Sequence, residues 1–196
     1  FMRINEAVFE RSHPDIAHCP VDEVPEFAFI GRSNVGKSSL LNLLVGKAGL
    51  AKVSQTPGHT RLINFFKING QWRLVDLPGY GYAKVARDNR SKFEQSVANF
   101  LGLRPNLVRI FVLIDSRLEP QVIDVEFVSW LCELQRPFAL VFTKADKLKP
   151  GPLKKNADQF LAAIAEWCSE PPECFFTSTK TRDGRSSILG YIGQQL

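Results

Sequence analysis

Phe27-Ala28-Phe29-Ile30-Gly31-Arg32-Ser33-Asn34-Val35-Gly36-Lys37-Ser38-Ser39-Leu40-Leu41-Asn42-Leu43-Leu44-Val45 is the stretch from which the fold is read. A short apolar run enters a glycine-bounded loop, and the loop opens a leucine-rich helical segment that Gly46 can stop. Gly31 to Ser38 matches G-x-x-x-x-G-K-[ST] in the strand–loop–helix context that the pattern needs. Glycine lets backbone N–H groups turn inward around phosphate oxygens, and the helix start adds its dipole and free donors. Lys37 can reach β- and γ-phosphates, and the Ser38 hydroxyl can ligate Mg²⁺.

Working outward, Ile63 to Ile68, Asn69-Gly70 and Trp72 to Asp76 read as a hairpin, because Asn-Gly favours a type I′ turn. Strands follow at Val108–Asp115, Phe138–Thr143 and Cys174–Thr177. Helices are expected at about Asp88–Leu101, Gln121–Leu134, Pro152–Trp167 and Ser186–Leu196. This alternation predicts a three-layer α/β fold with a six-stranded, mostly parallel sheet and one antiparallel edge strand. Residues 1–25 read as an N-terminal arm and 26–196 as one domain. Trp72, Trp130, Trp167 and most of the 15 Phe residues read as core.

Asp76-Leu77-Pro78-Gly79 ends the hairpin 39 residues after Lys37. A carboxylate there can hold Mg²⁺ through water, and the Gly79 N–H can approach a γ-phosphate. Thr143-Lys144-Ala145-Asp146 ends a later strand. Its carboxylate can accept two hydrogen bonds from the N1–H and N2–H₂ edge of guanine, which adenine does not offer. Lys144 can lay its stem along the base, and Thr177-Ser178-Thr179 can add a backbone N–H toward guanine O6.

Taken together, these motifs resemble the translation-factor-like P-loop GTPases, and among them the EngB (YihA/YsxC) family of bacterial ribosome-assembly GTPases. The residues carrying the resemblance are Gly31 to Ser39, Thr56-Pro57-Gly58-His59-Thr60, Asp76-Leu77-Pro78-Gly79-Tyr80-Gly81-Tyr82 and Thr143 to Asp146. His59 departs from the Arg or Lys expected between that glycine and threonine. The resemblance spans roughly Pro25 to Leu196 and implies a Ras-like fold that binds Mg²⁺ with GTP or GDP. Chemistry alone leaves Thr56 and Thr60 both open as a further Mg²⁺ ligand; the resemblance favours Thr60, with Gly58 and His59 in the nucleotide loop beside it. Lys37, Thr60 and Gly79 are then the catalytic candidates, and Ser38, Thr60 and, through water, Asp76 the metal site. Residues 47–61 and 77–87 read as the two switches.

Tyr80 stands where Ras-like enzymes place a water-orienting glutamine, and one rigid phenol cannot copy a flexible amide. Intrinsic hydrolysis is therefore expected at or below roughly 10⁻⁴ to 10⁻³ s⁻¹. Asn34 is similar to an asparagine that coordinates K⁺ in related GTPases, so K⁺ is a candidate activator. The resemblance further implies a switch acting in assembly of the large (50S) ribosomal subunit, with a link to cell division and septation. The rivals are a P-loop small-molecule kinase, which would leave Thr143 to Asp146 idle, and a nucleotide-dependent protein-binding module without significant turnover.

The formal net charge of +5 is uneven. Residues 1–26 hold two basic and six acidic side chains, a balance of −4, leaving 23 basic and 14 acidic, or +9, in the remainder. Basic residues flank the motifs at Lys84, Arg87, Arg90, Lys92, Lys144, Lys147, Lys149, Lys154, Lys155, Lys180, Arg182 and Arg185. Such a rim suits ribosomal RNA phosphates. The expected partner is the large subunit, rRNA and ribosomal proteins alike, with no DNA, no membrane and a monomeric chain. Cys19, Cys132, Cys168 and Cys174 form no C-x-x-C pair and read as reduced thiols. Phe1 precedes Met2 and is left out of the reading. Met2 to Pro25 has no signal-peptide core and no apolar run nears the roughly 18 residues of a membrane span, so a soluble cytoplasmic protein is expected.

The base-reading assignment has a direct test. Asp146→Asn should weaken GTP binding and favour xanthosine nucleotides, since xanthine replaces a donor with an oxygen. Competition binding checks this, and an unchanged preference for guanine refutes the assignment.

Overall fold

A computed structural model describes residues 2–51, 62–81 and 87–196, with the backbone alone for 87–93. Seven strands form one sheet: β1 (Ala7–His13), β2 (Glu26–Gly31), β3 (Ile63–Ile68), β4 (Trp72–Asp76), β5 (Leu107–Asp115), β6 (Phe138–Thr143) and β7 (Glu173–Phe176). Their order across the sheet is β1-β3-β4-β2-β5-β6-β7. The helices are α1 (Lys37–Val45), α2 (Arg87–Leu103), α3 (Val122–Leu134), α4 (Pro150–Ile164) and α5 (Arg185–Gln195). Among the described residues, no helix is long and apolar enough to cross a membrane.

The three-layer α/β expectation holds, with one strand added. The extra strand is β1, inside the segment read as an arm, and it pairs antiparallel with β3. Consequently β3, antiparallel to β4 as well, is the reversed strand of the sheet but not its edge. Two polar devices recruit the arm. The Asn69 side chain accepts from the Asn5 and Glu6 N–H groups (2.7 and 3.0 Å) and donates to the Arg3 carbonyl (2.8 Å). Asn69 therefore does more than make the turn, where it and Gly70 take φ of 51° and 63° as a type I′ hairpin requires.

The second device is a buried charge cluster at the start of β2 and β4. The Arg73 guanidinium donates to Glu10, Asp22 and Glu26, and Arg104 donates twice to Glu26 (2.7 and 2.8 Å). Glu26 is completely buried and Arg73 nearly so. Glu10 sits at an irregularity between the pairs Phe9–Phe66 and Arg11–Phe65, so a bulge in β1 supplies one of the carboxylates.

Alternation along the central strands separates two apolar layers. Phe27, Phe29, Phe111, Leu113 and Val141 pack with Leu40, Leu44, Ile188 and Ile192 of α1 and α5. Ala28, Ile30, Ile110, Val112 and Leu140 pack with Phe100, Val128, Leu131 and Phe160 of α2, α3 and α4. Helix α1 stops at Gly46 as expected: Gly46 N–H donates to Leu43 O and Lys47 N–H to Asn42 O.

Two expectations are corrected. Helix α4 starts earlier, with Pro150 in its first turn, and ends at Ile164, so Trp167 lies past the end and is 44% exposed instead of core. Cys132 and Cys168 are joined as a disulfide between the end of α3 and the residues after α4, whereas Cys19 and Cys174 are free. The two cysteines are 36 residues apart and only the packing of α3 beside α4 brings them together, which no local spacing signals.

Arg73→Met should cost about 3–5 kcal/mol of stability, because carboxylates lose their buried partner. Hydrogen bonding by Arg73 holds the Asp22 carboxyl down at about 2, against the opposing effect of burial. A depressed carboxyl contributes above its unfolded pKa near 4 and loses that contribution as pH falls toward 2. Urea unfolding at pH 7 and pH 3 should show a smaller acid-induced loss in Arg73→Met than in the parent; equal losses would remove Asp22 from the cluster.

Candidate nucleotide site

The C-terminal ends of β2, β4, β5 and β6 lie side by side and deliver Gly31, Asp76, Asp115 and Thr143 to one edge of the sheet. A parallel sheet does this by construction, since its crossovers return every strand in the same direction. The Gly31–Ser38 loop turns through left-handed residues at Asn34 (φ 65°) and Gly36 (φ 101°) before α1 starts at Lys37. Gly36 needs glycine's freedom at that angle. Ser38 and Ser39 occupy the first turn of α1, where helix geometry leaves N–H groups without an intrahelical acceptor.

Lys37 and Asp76 meet, although 39 residues separate them. The ammonium forms an ion pair with Asp76 and donates to Leu77 O (2.8 Å). Both side chains keep limited solvent access, so a polyphosphate could draw on the lysine while a cation took its place at the carboxylate. The chain then passes close to the phosphate loop. Leu77 N–H donates to Phe29 O, and Tyr80 N–H to Gly31 O (3.1 and 3.3 Å). Between them, a Cβ on Gly79 would lie 2.6 Å from Gly31 O, so this approach admits only glycine. Leu77, Pro78 and Gly79 are buried along this path.

On the other side, Thr143 Oγ1 donates to Val35 O (2.7 Å) and approaches Ile114 O (3.3 Å), tying β6 to the phosphate loop. Lys144 adopts φ 59° and runs past Gly36, with Nζ donating to Asn34 O (3.0 Å). Asp146 accepts from Ser178 Oγ (2.8 Å), and this bond holds its carboxyl below the usual carboxylate range. Ala145 N–H donates to Thr177 O (3.0 Å), so the two segments read as base-binding are braced against each other. Thr177 and Ser178 are buried, while Thr179 is exposed.

Gly58, His59, Thr60, Thr56, Tyr82 and Lys84 lie outside the described residues. Ser38 and Asp76 offer a hydroxyl and a carboxylate, the hard oxygen donors that suit Mg²⁺, and Asp76 already holds one cation, the Lys37 ammonium. The donor set thus fits the metal. Of the basic rim, Lys147 and Lys154 are exposed and each is ion-paired, Lys147 with Asp146 (3.9 Å) and Lys154 with Asp158 (2.6 Å). Arg185 is occupied differently: its Nε donates to Leu43 O at the end of α1 (2.9 Å).

Two aspartates absent from the motif reading belong to the site's frame. Asp115 Oδ2 accepts from Lys144 Nζ (3.3 Å) and from Arg117 Nη2 (2.8 Å). Burial works against its ionisation, but the Arg117 hydrogen bonds and the Lys144 charge keep its carboxyl low. Its signal was its place, as the last residue of an apolar strand. Asp124 accepts from the Tyr80 hydroxyl and had no local signal at all.

Residues 26–144 match the family model described as 50S ribosome-binding GTPase. The chain is 51% identical over 191 residues to the probable GTP-binding protein EngB of Bacteroides fragilis, covering 97% of this chain and 95% of that protein. It is 50% identical to the EngB of Christiangramia forsetii, covering 97% and 96%. A solved probable GTP-binding protein EngB superposes with a TM-score of 0.66 at 25% identity, covering 87% of this chain and 97% of that one. Era, solved with MgGDPNP and nucleotides 1506–1542 of 16S ribosomal RNA, shares the fold with a TM-score of 0.68 at 23% identity, covering 89% of this chain and 57% of Era. A phosphate loop, a neighbouring Asp-Leu-Pro-Gly turn and a Thr-Lys-Ala-Asp strand end are thus assembled in a chain that belongs to the EngB family of GTP-binding proteins, a family of GTP hydrolases.

Proposed function

We propose that the chain is a slow GTPase whose nucleotide state switches its action in assembly of the large ribosomal subunit. The observation that carries this reading is the meeting of Lys37 with Asp76 beside the Gly31–Gly79 contact. The cation read as phosphate-binding, the carboxylate read as metal-holding and the glycine read as facing the γ-phosphate are Lys37, Asp76 and Gly79, and their proximity supports these roles.

In the proposed cycle, the backbone of Gly31 to Ser39 wraps the phosphates and Lys37 leaves Asp76 for the β- and γ-oxygens. Ser38, Thr60 and, through water, Asp76 would hold Mg²⁺, which would supply neutralisation of the charge on those oxygens. Gly79 N–H faces the γ-phosphate and loses that contact after hydrolysis. Asp146 reads the guanine edge, oriented by Ser178, while Lys144 lies along the base. Thr177 to Thr179 close the far side.

Support for slow turnover comes from Tyr80. Its ring stacks on Phe127 and its hydroxyl donates to Asp124 (2.7 Å), so the side chain is engaged by α3. A group fixed there does not orient the attacking water, and acceleration falls to a partner or to a K⁺ held near Asn34. The exposed lysines Lys147 and Lys154, with Lys180 and Arg182, give a basic margin next to the base-binding segment that suits RNA phosphates. The reading places the protein in the cytoplasm as a monomer on the ribosomal particle, with septation a downstream consequence.

The test is co-sedimentation with purified large subunits, using a non-hydrolysable GTP analogue, GDP or no nucleotide at two salt concentrations, followed by turnover in K⁺ and Na⁺ buffers of equal ionic strength. The expected outcome is binding with the analogue but not GDP, weakening as salt rises, and faster turnover on the subunit and in K⁺. Absence of binding in every state removes the ribosome from the reading; equal turnover in the two buffers removes K⁺.

A further inference from the structure

The turn that carries Gly79 is held from two directions. Its backbone is held by the phosphate loop, through Tyr80 N–H on Gly31 O (3.3 Å) and the bridge between Tyr80 and Arg32. Its side chain is held by α3. The Tyr80 ring stacks on Phe127 with centroids 4.3 Å apart and planes 19° from parallel, and its hydroxyl donates to Asp124 Oδ1 at 2.7 Å. Gly79 is the residue between these restraints and the Lys37–Asp76 pair.

Asp124 is placed unusually for this work. An acidic residue in the first turn of a helix ordinarily faces solvent and gains from the helix dipole. Asp124 instead is 3% exposed, and burial pushes its carboxyl up despite the phenol and the nearby Arg32 charge. A buried carboxyl group is costly unless it is hydrogen-bonded, and here the phenol supplies the bond. An apolar residue would fill the same space on α3 without that cost. What Asp124 adds is direction: it selects one position of the Tyr80 ring along the Phe127 face, where stacking alone would let the ring slide.

We propose that Asp124 is a positioning residue for the nucleotide site: by fixing the Tyr80 hydroxyl on α3 it holds Gly79 against the phosphate loop, and so favours a triphosphate over a diphosphate. The proposal rests on the reading that Gly79 N–H faces the γ-phosphate. A diphosphate lacks that group, so its affinity is indifferent to the latch. The same arrangement makes α3 the element that follows the γ-phosphate state.

The experiment measures dissociation constants of fluorescent GDP and of a fluorescent non-hydrolysable GTP analogue, with Mg²⁺, on the full chain. Tyr80→Phe keeps the stacked ring and deletes only the hydroxyl. It should weaken the analogue about tenfold, the worth of one hydrogen bond to a charged group, and leave GDP within about twofold. Asp124→Ala should behave alike, and Tyr80→Phe with Asp124→Ala together should be no worse than either alone, since both delete one contact. Asp124→Asn should restore the parent ratio, because its amide oxygen still accepts the phenolic hydrogen. Should Asp124→Ala fail to fold, Tyr80→Phe and Asp124→Asn decide. Equal losses for both nucleotides would mean a merely structural contact, and an unchanged ratio in Tyr80→Phe would mean no latch; either overturns the proposal. Hydrogen exchange at the Gly79 N–H of the parent separates the two readings. If the analogue protects it no better than GDP does, the γ-phosphate assignment of Gly79 fails; if the analogue protects it while Tyr80→Phe leaves the affinity ratio unchanged, only the latch fails.

Discussion

Every residue of β2 from Glu26 to Gly31 is buried, with a parallel strand on either side and helices over both faces. A strand so enclosed has two outlets for polarity, its ends. At the beginning, the Glu26 carboxylate is satisfied within the protein by Arg73 and Arg104. At the other end, Gly31 opens into a loop of backbone donors, and there the balance is left to a ligand. The same strand therefore separates a charge cluster that is closed from one built to be completed from outside.

The closed cluster also accounts for the charge asymmetry of the chain. The acidic excess of residues 1–26 resembles a free polyanionic tail when counted as composition. In the fold, Glu10, Asp22 and Glu26 converge on Arg73, and Asp15 is taken up by His18. The segment becomes a strand and a strap, with three of its six carboxylates turned to Arg73. Net charge could not disclose this, because Glu10 and Arg73 are 63 residues apart and neither carries a local pattern. Short apolar runs, the Asn69-Gly70 turn and helical periodicity disclosed β2 to β7 and all five helices, because each of these signals lies within a few residues. They missed β1, whose Val8 and Phe9 are about half exposed and whose pairing depends on Asn69 and a bulge.

Legibility of the site follows the same division between local and distant causes. The phosphate loop, Asp-Leu-Pro-Gly and Thr-Lys-Ala-Asp are short strings whose chemistry depends on neighbours within the string. Their joining was readable only because a parallel sheet collects strand ends at one edge. Lys37 and Asp76 do meet there, and Thr143 does reach Val35. The supporting contacts were not readable, since Lys144 with Asp115 and Tyr80 with Asp124 span 29 and 44 residues and use residue types common on any surface. Glycine at position 79 is the instructive case. The motif calls for it on account of a phosphate, while the fold calls for it because a Cβ would strike Gly31 O.

That double requirement bears on how a GTPase can dispense with the glutamine after its glycine. An amide poised over the γ-phosphate must remain free to move with water. A tyrosine in that place is too large to remain unpacked, and here it is taken up by Phe127 and Asp124 of α3. The exchange removes a catalytic group and adds a mechanical connection from the phosphate loop to a helix. Helix α3 is in turn covalently tied through Cys132 to Cys168 beyond α4. In the proposed cycle, chemistry is therefore slow by design of the residue set, and the γ-phosphate is felt mainly as a change in what α3 is attached to. A partner that recognises this attachment would read the nucleotide without touching it, and one that loosens Tyr80 would alter the site from a distance.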